Sequence, residues 1–205
     1  MGKRTKYSLA FTAASLRLNE MVTVAKTAFN NDTDLYEVRE SGVVFNSVKS
    51  RTSDREFREI RKRLELLTPK QIDILINGDL LSQKQIAFLA VCKHYSIIRD
   101  FAIDVIRNKV LVYDYKINEA DFNSFINSKI PSNPELEEFN ESTLKKGKQV
   151  LFHILEQSGI IDNPANKTIQ LQILQPSVIK AVSEDDPAWL RIFMVSDKDI
   201  KQIIN

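Results

Sequence analysis

The sequence predicts a mainly α-helical protein with two helix-turn-helix-like units, the C-terminal one winged by a short β element. Three observations predict it. Five glycines and six prolines among 205 residues leave few helix breakers, and frequent Leu, Ile, Lys and Glu favour helix. Apolar residues recur at three-four spacing along most of the chain. One stretch, Lys167 to Leu174, instead alternates Ile169, Leu171 and Ile173 with Thr168, Gln170 and Gln172, the period of a strand.

The elements follow in order. Thr12 to Asn30 reads as a first helix, with Leu16, Met21, Val24, Ala25 and Phe29 at helical spacing. Asp32 or Thr33 caps a short helix to about Glu40, and Gly42 ends it. Val43 to Val48 suits a strand or an extended link. Ser53 is a good N-cap for a helix over 53–67, with Asp54 and Glu56 in its first turn and Phe57, Ile60, Leu64 and Leu67 as its apolar stripe. Thr68-Pro69 opens the next helix, which stops at Asn77-Gly78. Ser82 caps Gln83 to Tyr95, and Ser96 caps Ile97 to about Val110. These three helices carry the central core (Ile72, Ile74, Leu75, Ile86, Phe88, Leu89, Val91, Ile97, Ile98, Phe101 and Val105).

The character changes near 113–118, which divides the chain into a helical domain, 1–114, and a winged-helix-like domain, 115–205. Asn118 caps Glu119 to Lys129. A turn at Pro131 to Pro134 leads into a short acidic helix to Phe139. Ser142 caps a helix over 142–158, and Gly159 stops it. After the strand, Pro176 to Ser183 is helical, Trp189 to Val195 suits strand or helix, and Ser196 begins a final helix.

Several functions are excluded by scarcity. No two glycines are close enough for a GxGxxG or Walker A loop. Two histidines and one cysteine cannot make a Cys/His zinc site, and one cysteine makes no internal disulfide, which fits a reducing cytoplasm. The longest apolar run, Ile86 to Cys92, is seven residues, against about 20 for a membrane span. Met1 to Lys6 is basic but lacks the apolar core of a secretory signal. Asp79, Asp100, Asp104 and Asp114 read as helix caps and ion-pair partners, not metal ligands. His94 reads as a helix residue, and His153 lacks a nucleophile with an elbow motif. No enzyme, cofactor, metal or small-molecule substrate is expected.

The charge is local. The chain carries a net +2, yet residues 47–63 hold seven bases and three acids, a net +4 in 17 residues. On a helix, Arg55, Arg58 and Lys62 share one side, and Arg51 extends the line from the helix start. Arginine suits phosphate because its planar fork donates two parallel bonds and keeps its charge. The alternative is a solvated face with Glu56 and Glu59 pairing across turns. A second feature is Ser142-Thr143-Leu144-Lys145-Lys146-Gly147-Lys148-Gln149. Its polar side gathers Ser142, Lys145, Lys146, Gln149 and His153 at a helix start, where free amides favour phosphate. The alternative is a lysine-rich exposed helix start.

Both basic helices follow a longer helix, a short one and a turn. That is helix-turn-helix order, in which the third helix enters the major groove. The second helix is followed by Gly159, the apolar pair Ile160-Ile161 and the strand, as a winged helix continues into its wing. Asn163, Asn166 and Lys167 would lie at the wing tip.

The ordered motifs resemble the BrxA family, the small component of bacteriophage-exclusion (BREX) defence systems. The resemblance rests on Tyr7-Ser8 with Thr12-Ala13-Ala14-Ser15-Leu16, Arg61-Lys62-Arg63-Leu64, Asn77-Gly78-Asp79 and Gln85 through Tyr95. It continues with Asp100-Phe101, Glu141-Ser142-Thr143-Leu144-Lys145-Lys146 and Gln157-Ser158-Gly159. It covers about residues 7–180. Ala13-Ala14 stand where the family is expected to have small residues, often glycine, before the serine. The resemblance implies a non-enzymatic, mostly helical cytoplasmic protein encoded beside a DNA methyltransferase, an ATPase and other defence proteins. The family has been likened to the RNA-binding protein NusB and linked to DNA binding. Some relatives carry a membrane label, against which the short apolar runs argue. It supplies no catalytic residues.

The expectation is therefore a nucleic-acid-binding accessory protein of phage defence, with double-stranded DNA favoured over RNA and other BREX proteins as further partners. Arg51, Arg55, Arg58 and Lys62 would hold phosphates. Ser142, Thr143, Lys145, Lys146 and Gln149 would enter or flank a groove. Two alternatives are a protein-interaction scaffold and a NusB-like RNA binder. The first would meet partners through these bases and the acidic turn Glu135, Glu137 and Glu138.

Overall fold

The computed structural model describes residues 6–30, 35–40 and 51–204, and the regular structure among them is helical. The chain enters through a 3-10 turn, Ala10–Ala13, and then α1 (Leu18–Asn30). The single helix expected from Thr12 is thus broken at 14–17, for two reasons. Arg17 sits at φ 53°, in the left-handed region. The buried Arg63 guanidinium takes the carbonyls of Ala14, Ser15 and Leu16, which a continuous helix would use internally. Phe29, expected on the apolar face, is half exposed at the end of α1.

After α2 (Leu35–Glu40) comes α3 (Arg51–Leu64). The caps expected at Asp32 or Thr33, the stop at Gly42, the strand or link over 43–48 and the base Lys49 lie outside the described residues. The basic helix ends at Leu64, three residues before the expected Leu67. Ser53 is not its cap. It is buried within the helix, and its hydroxyl accepts a bond from Arg39 Nη2 at 3.0 Å.

Thr68 and Gln71 then form a reciprocal capping box that opens α4 (Pro69–Asn77). Asp79, and not Ser82, caps α5 (Leu80–His94), its carboxylate accepting from the Ser82 amide at 2.7 Å. Every residue from Ile86 to Cys92 is buried, so α5 is the core helix. Ile74 and Val105, expected in the core, are only partly buried against it. The next path is helical throughout but widens midway: α6 (Ser96–Phe101), a π-helical turn Ala102–Arg107, and α7 (Asn108–Leu111).

Asn118 and Asp121 form a second capping box at α8 (Glu119–Lys129). The expected acidic helix from Pro134 to Phe139 is only a 3-10 turn, Pro134–Leu136, and the turn before it holds another, Ile130–Ser132. Then α9 (Glu141–Gln157) starts one residue earlier than expected, because Asn140, not Ser142, accepts from the Thr143 amide at 2.8 Å. Gly159 stops it at φ 79°. The chain closes with α10 (Pro176–Ser183), a 3-10 turn Pro187–Phe193 and α11 (Asp197–Ile204), capped by Ser196.

The strand expected over 167–174 is realised only as isolated antiparallel bridges, Lys116 to Thr168 and Ile161 to Ile169. Residues 167–170 lie between two neighbours. On one side the Ile117 amide donates to the Lys167 carbonyl (3.1 Å) and the Ile169 amide to Tyr115 (2.8 Å). On the other, the Asp162 amide donates to Thr168 (3.0 Å) and the Gln170 amide to Ile160 (2.8 Å). Pairing stops there because neither neighbour extends further. Leu111 ends α7 and Gly159 follows α9, so both flanks turn into helices. Side chains take over: Gln172 Nε2 donates to the Gly159 carbonyl and Gln85 Nε2 to Ile173. Leu171 and Ile173 are left exposed.

Two features tie the first and second halves of the chain. Phe101 of α6 stacks edge-on against Phe125 of α8 and Phe152 of α9. The segment 7–17 is a strap. The Tyr7 hydroxyl donates to Asp100, Leu9 packs where a Cβ on Gly147 would meet it at 3.2 Å, and the Leu16 amide donates to Gln157. Gly147 thus sits mid-helix for a reason: its missing side chain lets the strap approach α9.

Candidate nucleic-acid interface

A helix with nine charged residues in fourteen must sort those charges between core and solvent, and α3 sorts most of them. Its buried face carries Ser53, Glu56, Phe57, Glu59, Ile60, Arg63 and Leu64. Burial of charge requires partners, and each buried ion has them. Arg63 is fully buried. It donates to three carbonyls of the strap and lies over the Tyr95 ring, 5.3 Å from its centroid. Glu56 pairs with Arg17, which also holds Glu20 at 3.0 Å. Glu59 accepts from the Tyr95 hydroxyl and from Lys62 at 3.0 Å, with His94 Nε2 at 3.5 Å. Burial alone would raise the Glu59 pKa. The bonds from His94, Tyr95 and Lys62 outweigh burial and hold the carboxyl at about 2. The same contact with Glu59, added to burial, pushes the Tyr95 phenol far up.

The opposite face carries the predicted stripe. Arg51, Arg55 and Arg58 are exposed and make no hydrogen bond or ion pair with any described residue. Lys62 differs: it is half-buried and committed to Glu59. So three of the four predicted phosphate ligands on this helix stand clear of the other described residues, and the fourth braces the core. Arg61 is placed on the flank and reaches Glu65 at 3.4 Å. Arg39, on α2, was not signalled by the sequence. It lies outside the basic run, and only tertiary contact brings its fork to Asp54 (Nη2 to Oδ1, 2.7 Å). Arg39, Arg51, Arg55, Arg58 and Arg61 line one cleft with Phe57 and Asp54.

The second basic helix sorts more simply. Gly147, Val150, Leu151, Phe152, Ile154 and Leu155 are buried. Ser142, Lys145, Lys146, Gln149 and His153 are exposed and share one face. Thr143, predicted with them, is half-buried and turned off that face. Its amide is spent on the Asn140 cap. That cap also receives the Ser142 hydroxyl at 2.7 Å. Lys146 leans on Gln149 at 3.4 Å, a weak tie. Lys148 lies off the face and is neutralised. It and Lys167 both reach Glu119, at 2.5 and 3.1 Å, and their contact depresses the Glu119 pKa. Between α8, α9 and the 163–167 turn runs a cleft walled by Phe122, Ile126, Leu144 and Phe152, with Lys145 and Gln149 on its rim.

The four aspartates read as structural are so engaged. Asp79 caps α5, Asp100 meets Tyr7 and Arg99, Asp104 pairs with Lys129, and Asp114 pairs with Lys109. Among the described residues no group of three potential metal ligands converges, and no helix is long and apolar enough to cross a membrane.

Comparison with known proteins adds three findings. A family model described as BrxA matches residues 5–186. Two curated relatives match, each named BREX protein BrxA. The one from Escherichia coli O9:H4 (strain HS) is 25% identical over 138 residues, covering 66% of this chain and 65% of that protein. The chain thus spans just under two thirds of that relative. The one from Bacillus cereus (strain H3081.97) is 26% identical over 187 residues, covering 89% of this chain and 92% of the relative. A crystal structure of an uncharacterized protein from Magnetospirillum magneticum has the same fold. Its TM-score is 0.80 at 19% identity, and the match covers 93% of this chain and 98% of that one.

Proposed function

The chain belongs to the BrxA family of BREX phage-defence components, and on that premise we propose that it is a non-enzymatic, cytoplasmic protein that binds double-stranded DNA. The observation that carries the reading is the sorting of α3: three arginines stand on a solvent face with no partner among the described residues, while each buried ion on the same helix has hydrogen-bond partners. An uncompensated cationic stripe repels itself and is relieved by an anion. The exposed face of α9 (Ser142, Lys145, Lys146, Gln149 and His153) supplies a second surface with hydrogen-bonding groups beside its lysines. Phosphate contacts then dominate affinity, and sequence preference is weak.

We propose further that residues 115–170 act as a small winged helix. The order supports this: 115–117, then α8, then α9, then 160–162, a turn, and 167–170 between the other two segments. In such a unit α9 is the helix presented to the major groove, and the 163–167 turn is the wing tip. The order α1, α2, α3 is the corresponding reading of the first unit. BREX membership also favours other BREX proteins as partners.

The test is fluorescence anisotropy with a 30-base-pair duplex across a salt series, with single-stranded DNA and hairpin RNA alongside. Duplex binding should fall steeply with salt. The triple variant Arg51→Ala, Arg55→Ala, Arg58→Ala should weaken binding uniformly over duplex sequences. It should also flatten the log–log slope by about 0.9 for each phosphate the variant no longer neutralises. A triple variant with the parent's affinity and slope would remove α3 from the interface. Tighter binding to hairpin RNA than to duplex would replace the DNA reading with an RNA one.

A further inference from the structure

The arginine stripe of α3 is not simply a convex ridge. With Arg39 of α2 it borders a cleft of about 610 Å3, where five arginines face a single carboxylate, Asp54, among the described lining residues. That carboxylate is already engaged by Arg39. Arg51, Arg55 and Arg58 therefore bring positive charge to a concave site with nothing described to balance it.

The shape and the charge select different ligands. An intact duplex presents only internal phosphodiesters, which the exposed stripe can meet from solvent as proposed above. A cleft of this volume lies in the range of about 300–1,000 Å3 that holds small molecules. An internal diester offers one charge and two terminal oxygens. A phosphomonoester carries about −1.5 to −2 at neutral pH and offers three acceptor oxygens, which suits several guanidinium forks at once. The space exceeds what a lone phosphate fills, and the Phe57 ring lines it beside the arginines.

The geometry points to a phosphomonoester site: the cleft between α2 and α3 binds a nucleoside monophosphate group, presented by a 5′-phosphorylated DNA end or by a free nucleotide. The DNA-end source rests on the duplex-binding reading above; the free-nucleotide source does not. Asp54 stays paired with Arg39 at the edge of the site, and the α9 face serves internal duplex contacts independently.

The test uses the full chain and four probes: a 30-base-pair duplex with 5′-phosphates, the same duplex with 5′-hydroxyls, a covalently closed circular DNA, and AMP measured by calorimetry against adenosine and inorganic phosphate. The phosphorylated duplex should bind about tenfold tighter than the hydroxyl duplex, the worth of one charge-assisted bond. Arg55→Ala with Arg58→Ala should erase that preference, whereas Lys145→Ala with Lys146→Ala should lower affinity for both duplexes and keep it. Thermal melts of both variants check that the fold persists.

AMP binding with no duplex binding would keep the cleft assignment, identify a free nucleotide as its source and overturn the DNA reading. An end preference without AMP binding would identify the DNA end. Equal binding of both duplexes and the circle, with no AMP binding, would overturn the cleft assignment and leave the DNA reading intact. Inorganic phosphate binding as tightly as AMP would overturn the nucleoside part. Absence of every interaction, with a folded sample, would sink both.

Discussion

The two basic helices carry charge in opposite ways. In α3, cations occupy both faces. Arg63 is sealed inside the protein, where it ties the 7–17 strap to the helix, while Arg51, Arg55 and Arg58 stand in solvent. In α9, no cation is fully buried. Its lysines either face solvent, as Lys145 and Lys146 do, or sit half-buried at the side against Glu119, as Lys148 does. A run of bases is therefore not one feature. The same residue type a few positions apart braces the core or is available to a ligand, and the side of the helix, together with the partners that reach it, decides which.

The largest expected effect breaks that comparison at Arg63. Arg63→Ala leaves three strap carbonyls without their buried donor and should cost about 3–5 kcal/mol in urea unfolding. Arg55→Ala, one helix face away, should stay within about 0.5 kcal/mol. Equal costs would mean the two faces are not energetically distinct.

The next effect concerns Glu59, the buried acid of α3. Its folded pKa of about 2 lies below the ordinary 4.5. A depressed pKa contributes stability that is present above about pH 4.5 and is lost as pH falls toward 2. The shift corresponds to about 3 kcal/mol. Glu59→Gln should therefore flatten the acid limb of a stability-versus-pH curve in that window. An unchanged acid limb would show that the carboxylate is not held by His94, Tyr95 and Lys62 as described.

Two smaller effects sharpen the comparison on the binding side. Lys145→Ala with Lys146→Ala should reduce the salt slope of duplex binding by up to about 0.9 per phosphate released. Lys148→Ala should leave the slope unchanged, because Glu119 already neutralises that lysine. A Lys148 effect as large as that of the exposed pair would place the interface on the cleft side of α9. Smallest is Asp54→Ala, which removes the only described carboxylate of the arginine cleft and breaks its ion pair with Arg39, leaving Arg39 its bond to Ser53. Anisotropy should show duplex binding tightened about twofold, the scale of one exposed ion pair. Weaker binding would assign Asp54 a supporting role.

Much of this protein follows from local rules that act within a few residues. The three-four spacing of apolar residues, the Thr68 and Asn118 caps, the stops at Gly78 and Gly159 and the prolines that open α4 and α10 are all short-range, so they are legible in sequence. The exposed stripe Arg51, Arg55, Arg58 and the Lys145, Lys146, Gln149 face are legible for the same reason: helical period alone separates them from Phe57, Ile60 and Leu151. What depends on partners distant in the chain is not. The break at 14–17 needs Arg63, some 48 positions away. Lys62 can be seen to lie on the basic side, but its commitment to Glu59 depends on Tyr95 and His94 completing a buried acid site. Arg39 joins the arginine cleft only through a tertiary contact. The alternation over 167–174 is correct strand chemistry, yet a strand needs neighbours, and both end at helices after Gln170. Sequence determined the helices, their ends and the period of their charges. Tertiary structure decided which of those charges are buried and paired, because a buried ion is tolerated only where distant groups arrive to satisfy it.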